Sequence, residues 1–333
     1  MAGSGVADGA VDGDEITRPR QAFGMCGVLG VSDQTIARRL RGLYADHGLR
    51  IVGRVAPAAV GRSEWVVRLR CAPGKAGIVA GWLAERDDTA WVRINSGGAD
   101  VVANVLARSE GDRKVLLLDE LPSTRAVAVL GAHCVTHVFR GGETTWRLIT
   151  SALTSAQLRE LADLTTQPDP DSAEVRLRPE DESLMAALAE DGRTSYVELA
   201  RLVSSDQNTV RRRITRLRDG GILYFDVDFS VASLGYPLTS LLWITVEPAL
   251  IDEVGGAIAD LDESAFVAAT TGHTNMLVSL LSHDSAHLHR QLAGSVGKVV
   301  GSSAPDARND QRRCEHCDHR APGRGNSAAC AVG

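Results

Sequence analysis

Between Arg211 and Arg218 the chain places five arginines in eight residues, within the stretch SSDQNTVRRRITRLRDGGIL (204–223), although its formal net charge is -6. Guanidinium groups held on one rigid element can grip phosphate. In the major groove an Arg can also bind guanine, and an Asn or Gln adenine, through paired hydrogen bonds. Residues 180–222 hold seven arginines against eight acids, so the positive charge is focused rather than general. That pattern suits a phosphate-lined groove. The competing explanation is a solvated helix whose arginines pair with acids on its neighbours.

The elements that must position these arginines are legible nearby. PEDESLMAALAEDGR predicts a helix from about 180 to 190, with Pro179 before it and acids in its first turn. Ser195 can cap a second helix, YVELARLV, and Asp206 a third that stops at Gly220-Gly221. In that third helix Val210, Ile214 and Leu217 form one apolar stripe, with Asn208 and Arg212 pointing away from it and Arg211 and Arg216 on its flanks. Three short helices with a tight second turn and a basic last member describe a helix-turn-helix.

The chain also repeats itself. SDQTIARRLRGL (32–43) corresponds to DQNTVRRRITRL (206–217) at an offset of 174, and residues 73–109 correspond to 248–284 at an offset of 175. Each half therefore carries a basic helix followed by a larger unit. TTQPDPDSAEVRLRPEDE (165–182), rich in proline and acids, reads as the linker between them.

The stretch DESLMAALAEDGRTSYVELARLVSSDQNTVRRRITRLRDGGIL resembles the DNA-binding domain of the Lrp/AsnC family of transcription regulators. Asp191-Gly192-Arg193, Glu198-Leu199-Ala200, Thr209-Val210-Arg213-Ile214-Leu217 and Gly221-Ile222 carry the likeness. GVSDQTIARRLRGL resembles it a second time, with Ser32 in the capping place of Asp206. The resemblance implies that Gln207, Asn208, Arg211 and Arg212 read bases, while Thr209, Arg213 and Arg216 contact phosphate. In the first copy Gln34, Thr35 and Arg38 take the matching places and Ala37 replaces Arg211, so this copy should read a different and weaker sequence. Pro19 interrupts the region upstream of it, which predicts an incomplete first helix-turn-helix.

After each basic helix the pattern reads β-α-β-β-α-β, a ferredoxin-like arrangement. Strands LLWITVE (241–247), SAFVAATT and NMLVSLLS alternate with helices PALIDEVGGAIADL and HDSAHLHRQLAGSV in the second half. EWVVRLRC, PGKAGIVAGWLAE, TAWVRIN, ADVVANVLA, KVLLLDELPSTRAVAVL and AHCVTHVF supply the first. Apolar residues on consecutive strand positions (241–244 and 276–278) require cover on both sheet faces, which a duplicated chain can supply to itself while associating further. The family resemblance implies a small effector, such as an amino acid, near Gly97 and Asp100 and near Gly272 and Asn275. A Gly-Asx turn serving only the hairpin explains those residues equally well.

Other chemistry is thin. His283 and His287 share a helix face near His289, but no carboxylate or cysteine joins them with obvious geometry, so no metal site is expected. CEHCDH (314–319) is a lone C-x-x-C. PGKAG lacks the spacing of a phosphate loop, and no nucleophile–base constellation is found. No cofactor and no enzyme activity are expected. Aromatics at 4% argue against stacking platforms for single strands. No apolar run reaches the roughly 20 residues of a membrane span, no signal peptide is recognised, and six cysteines are too few for a disulfide scaffold, which together place the chain in the cytoplasm.

The expectation is an α+β protein. It comprises a partial or degenerate helix-turn-helix (1–53), a ferredoxin-like regulatory domain (54–142), a helix and linker (143–179), a second helix-turn-helix (180–224), a second ferredoxin-like domain (225–301) and a disordered or out-of-frame tail (302–333). Its expected partners are double-stranded DNA, a small effector and further copies of itself. The alternative is a ferredoxin-like metabolite- or metal-binding oligomer whose basic helices only pack; an oligomeric enzyme with interface pockets stands third.

Overall fold

The computed structural model describes residues 30–141 apart from 87, 108, 110, 112, 113 and 122–124, residues 177–302 and 313–316, and residues 28, 154, 156, 157 and 160. The expected interruption at Pro19, most of the linker and most of the tail lie outside them.

Helix α1 (Asp33–His47) leads into β1 (Arg50–Val55). Next come β2 (Ser63–Cys71), α2 (Ala76–Ala84), β3 (Thr89–Asn95), β4 (Asp100–Ala107) and β5 (Val127–Arg140). The second half opens with α3 (Pro179–Glu190), α4 (Tyr196–Leu202), α5 (Gln207–Asp219) and β6 (Leu223–Asp228). It continues with β7 (Leu238–Ile244), α6 (Ile251–Ala259), β8 (Ser264–Thr270), β9 (Met276–Ser282), α7 (Ser285–Ala293), α8 (Ser295–Ser302) and β10 (Arg313–His316).

Eight strands form one sheet in the order β10-β7-β9-β8-β5-β2-β4-β3. Numbered within each half, both halves run fourth-first-third-second, which is the strand order of a split β-α-β fold. The segment expected to be an irregular tail supplies β10, paired antiparallel to β7. Alternation along the strands sorts residues between two faces. One face of the first half buries Val67, Leu69, Val101 and Ala103 against Val79, Ala80 and Leu83 of α2. In the second half Leu242, Val278 and Leu280 lie with Val254 and Ile258 of α6. The opposite faces meet each other: Val66 and Val102 join Leu241, Trp243 and Leu277 in one buried cluster. The consecutive apolar positions of β7 and β9 thus find cover within the chain.

Strand β5 ties the halves together. Its residues 127–134 pair with β2, and residues 135–140 pair with β8 with register shifts at Val135/His137 and Val138/Arg140. The sequence pattern predicts only AHCVTHVF here, because the strand crosses from one half's sheet to the other's and no single period runs through it. Phe139 fills the space beside Gly255 of α6, where a Cβ would collide with its ring. Arg140, 6% exposed, donates to the carbonyls of Ala259 (2.6 Å) and Leu261 (2.7 Å) at the end of α6. A cation there also complements the helix dipole. Arg140→Met removes charge-assisted bonds from carbonyls that water cannot easily reach, and should cost about 2–3 kcal/mol. A lower urea midpoint with unchanged slope would show it; an unmoved midpoint would mean that the end of α6 is held by other groups.

Candidate nucleic-acid interface

Each helix of the basic unit has an identifiable start. Asp181, in the first turn of α3, accepts from the N–H of Arg178 at 2.7 Å. Ser195 and Glu198 form a reciprocal capping box on α4, and the Ser195 hydrogen bonds hold the Glu198 carboxyl below its usual pKa. A turn through Ser204, at φ 50, redirects the chain. Asp206 then caps α5, accepting from the N–H of Thr209 at 2.9 Å and from its hydroxyl at 2.6 Å. These bonds, with the Thr209 side chain first, depress the Asp206 pKa. Val210, Ile214 and Leu217 are buried with Leu184, Leu188 and Leu199. Gly221, at φ 66, turns the chain into β6.

Asn208 and Arg212 point away from the apolar seam of α5, with Arg211 and Arg216 on the flanks and Gln207 at the helix start, and all five are exposed. No carboxylate pairs with Arg211, Arg212 or Arg216 among the described residues. The helix therefore presents, on one rod, two amides and three guanidinium groups that no carboxylate among the described residues pairs with.

Two members of the run serve elsewhere. Arg213, expected among the phosphate contacts, turns inward and binds both carboxylate oxygens of Asp181, whose side chain is 1% exposed. That pairing raises the pKa of Arg213 and ties α5 to α3. Arg218 lies over the ring of Phe225 at 5.8 Å. Sequence reasoning did not single out Asp181. Its position in a first turn signals capping, and nothing local signals a partner 32 residues away.

The first basic helix begins in a similar way. Ser32 caps α1, accepting from the N–H of Thr35, and Gln34 and Arg38 are exposed. Gly48, at φ 61, caps the end of α1, while α5 is capped by Gly220 with the left-handed Gly221 directly after it. The strands that follow pair antiparallel, from Arg50↔Asp228 to Val55↔Leu223. The left-handed Gly48 and Gly221 are offset by 221 − 48 = 173, and at that offset Arg50 matches Leu223 while Val55 matches Asp228. At that offset the two strands pair antiparallel along their whole length, the start of each against the end of the other. The units interlock across this ribbon. The N–H of Gly192 donates to Ile51 at 2.8 Å, Arg50 donates to the carbonyl of Glu190, and Arg193 lies over the Tyr44 ring at 5.0 Å. A Cβ at Gly192 would sit 2.9 Å from the Ile51 oxygen, so the close approach requires glycine.

The residues expected to hold an effector are engaged otherwise. Asp100, 1% exposed, pairs with Arg68 (2.8 Å) and Arg70 (3.3 Å) of β2. Asn275 bonds both backbone groups of Val246, donating to its carbonyl at 2.7 Å and accepting from its N–H at 2.8 Å. Gly97, at φ 63, makes a tight turn between β3 and β4. Gly272, at φ 115, makes room for His133, which would approach a Cβ to 2.6 Å. In this structure these groups hold strands, turns and halves together.

His133 sits where the halves meet, its ring 4.8 Å from that of Trp243 and its Nδ1 2.8 Å from the Thr271 carbonyl, to which it donates. Burial lowers its pKa, opposed by the Thr271 bond and aided by His273 and Arg68. The unfolded chain therefore takes up this proton near pH 6.5, while the folded chain does so only at lower pH. Stability from this group is full above that value and lost as pH falls through the window beneath it. Denaturation followed against pH should show the loss in the wild type and a shallower one in His133→Phe; equal slopes would remove His133 from the account.

Three short helices, two caps and a cationic outer face on the third define a DNA-binding helix-turn-helix protein. Residues 181–218 match the AsnC-type helix-turn-helix domain. An uncharacterised HTH-type transcriptional regulator of Pyrococcus abyssi (strain GE5 / Orsay) is 30% identical over 131 residues, covering 39% of this chain and 83% of the relative. The HTH-type transcriptional regulator FL11 of Pyrococcus horikoshii is 26% identical over 125 residues, covering 37% and 83%. The chain belongs to the Lrp/AsnC family of transcriptional regulators. Its fold over 90% of its length is similar to that of the siroheme decarboxylase NirDL, with a TM-score of 0.57, 11% identity and 85% of that chain covered. Among the described residues no helix is long and apolar enough to cross a membrane, and no group of three His, Cys, Asp or Glu side chains could hold a metal ion.

Proposed function

We propose that this regulator is a tandem duplication in which one chain presents two unequal reading helices to one operator. The full-length antiparallel pairing of β1 with β6 supports this reading, because each strand follows a basic helix and a two-fold arrangement of the two helices would suit two half-sites of a duplex. Asn208, Arg211 and Arg212 would read bases in one half-site, with Thr209 and Arg216 at its phosphates and Gln207 at the helix start. Gln34, Thr35 and Arg38 would take the other. Ala37 stands where Arg211 stands, so the halves of the operator differ in sequence and the α1 half contributes less.

Selection of bound duplexes from random DNA tests this. The expected product is two dissimilar elements in a fixed spacing, with Arg38→Ala blurring only the second and lowering affinity by about 1–3 kcal/mol or less. A single element, unaffected by Arg38→Ala, would confine reading to α5.

An effector acting through assembly completes the proposal, since a ligand shifts an equilibrium only by preferring one state. An ammonium group reaches Asp100 only in competition with Arg68 and Arg70. Calorimetry against amino acids should therefore give heat that depends on Asp100. No heat from any of them would leave Asp100 with its role between strands alone.

A further inference from the structure

We propose that the outer face of α2 docks a second copy of this chain, the two helices antiparallel about a two-fold axis at Ala80. Helix α2 buries Ala76, Val79, Ala80 and Leu83 against its sheet, yet its other face is also apolar: Ile78 is 64% exposed and Trp82 37%. The internal repeat supplies a comparison. At an offset of 175 the matching residues are Glu253 and Ala257 of α6, so the fold itself does not demand large apolar groups there. Gly77 and Gly81 share this outward side, and a Cβ on either would meet nothing within 4 Å. They leave recesses into which a partner's side chains can settle.

The spacing selects the occupant. Lys75, Ile78, Trp82 and Glu85 follow one another at i, i+3, i+7 and i+10, which places them within roughly 80° of arc on the helix. Both pairs have the same midpoint, since 75 + 85 and 78 + 82 each equal 160. An antiparallel copy centred on Ala80 therefore sets Ile78 against the partner's Trp82 and Lys75 against the partner's Glu85, twice over. Such a patch is self-complementary in the way a two-fold interface requires. Lys75 and Glu85 are exposed and have no ion-pair partner among the described residues. Trp82 is already held in place: Arg86 lies over its ring at 5.0 Å and is itself fixed by Asp88 (2.8 Å) and Glu120 (2.6 Å). An aromatic ordered before binding loses little freedom on association.

This gives a surface to the self-association expected of the chain and is independent of DNA binding, so either can fail alone. The test is sedimentation of the full chain across a wide dilution series. The wild type should pass from single chains to pairs. Ile78→Asp, at an exposed position that the fold does not use, should weaken pairing about a hundredfold. Lys75→Glu and Glu85→Lys should each weaken it about tenfold by setting like charges against each other twice, while the double exchange restores it to about the wild-type value. A wild type of single-chain mass throughout would overturn the proposal. So would an Ile78→Asp series that overlays the wild type, or a double exchange as weak as its single parents.

Discussion

Asp181→Ala should melt the second helix-turn-helix at temperatures where the sheet remains folded. Asp181 is fully buried, holds the N–H of Arg178 at the start of α3, and binds Arg213 with both oxygens. Its removal takes the bidentate carboxylate away from a guanidinium that is 11% exposed. Breaking a buried pair from one side costs about 3–5 kcal/mol, and the lost bond to the Arg178 N–H adds about 1. That is a large share of the roughly 5–15 kcal/mol that holds a domain together. Calorimetry should resolve an early transition absent from the wild type.

Replacing both partners, Asp181→Leu with Arg213→Met, should recover much of the loss, because an apolar pair of similar volume avoids the desolvation of two charges. The same double variant asks whether Arg213 also touches DNA. With Arg213 turned inward, binding and its salt dependence should survive the exchange; a salt slope lower by about 1 would return Arg213 to the groups that neutralise phosphate.

Arg212→Ala should cost about 1–3 kcal/mol on the preferred duplex and blur preference at one position. Arg212 points away from the Val210, Ile214 and Leu217 seam, is exposed, and has no carboxylate partner among the described residues. Its loss leaves folding untouched, so the deficit would appear in affinity alone. Arg216 lies on the flank, where the backbone of a bound duplex would run. Arg216→Ala should weaken binding to most sequences by a similar factor. Equal losses on all sequences for both variants would mean that α5 grips the duplex without reading it.

The contrast between Arg212 and Arg213 shows what the sequence can say about such a helix. At about 100° per residue Arg213 falls only about 60° from the apolar seam, close enough to predict partial burial. Its partner stands on another helix, and no local pattern names it. Caps at Ser32, Ser195 and Asp206 were legible because a cap and its target lie three residues apart. The strands were legible from alternation, and α2 and α6 from their place between them. The pairing of Asp100 was hidden for the reason that hid Asp181: Arg68 and Arg70 are 30 or more residues away and meet it only when β2 pairs with β4. The first residues of strand β5 escaped for a related reason. The strand changes neighbours halfway along, from β2 to β8, so its burial pattern follows two different faces in turn. The likeness between halves was visible as a repeat, but the ribbon of β1 and β6 that joins them depends on register, which short strands do not announce.

The central claim is that α5 presents free cationic side chains to a duplex groove. Anisotropy titration of the full chain against a selected duplex, over a series of salt concentrations, tests it most directly. The wild type should give a steep linear fall of log affinity with log salt. Arg211→Ala, Arg212→Ala and Arg216→Ala combined should weaken binding and flatten that slope by about 0.9 for each phosphate left without its guanidinium. Binding that ignores salt, or that survives the triple replacement unchanged, would contradict the account.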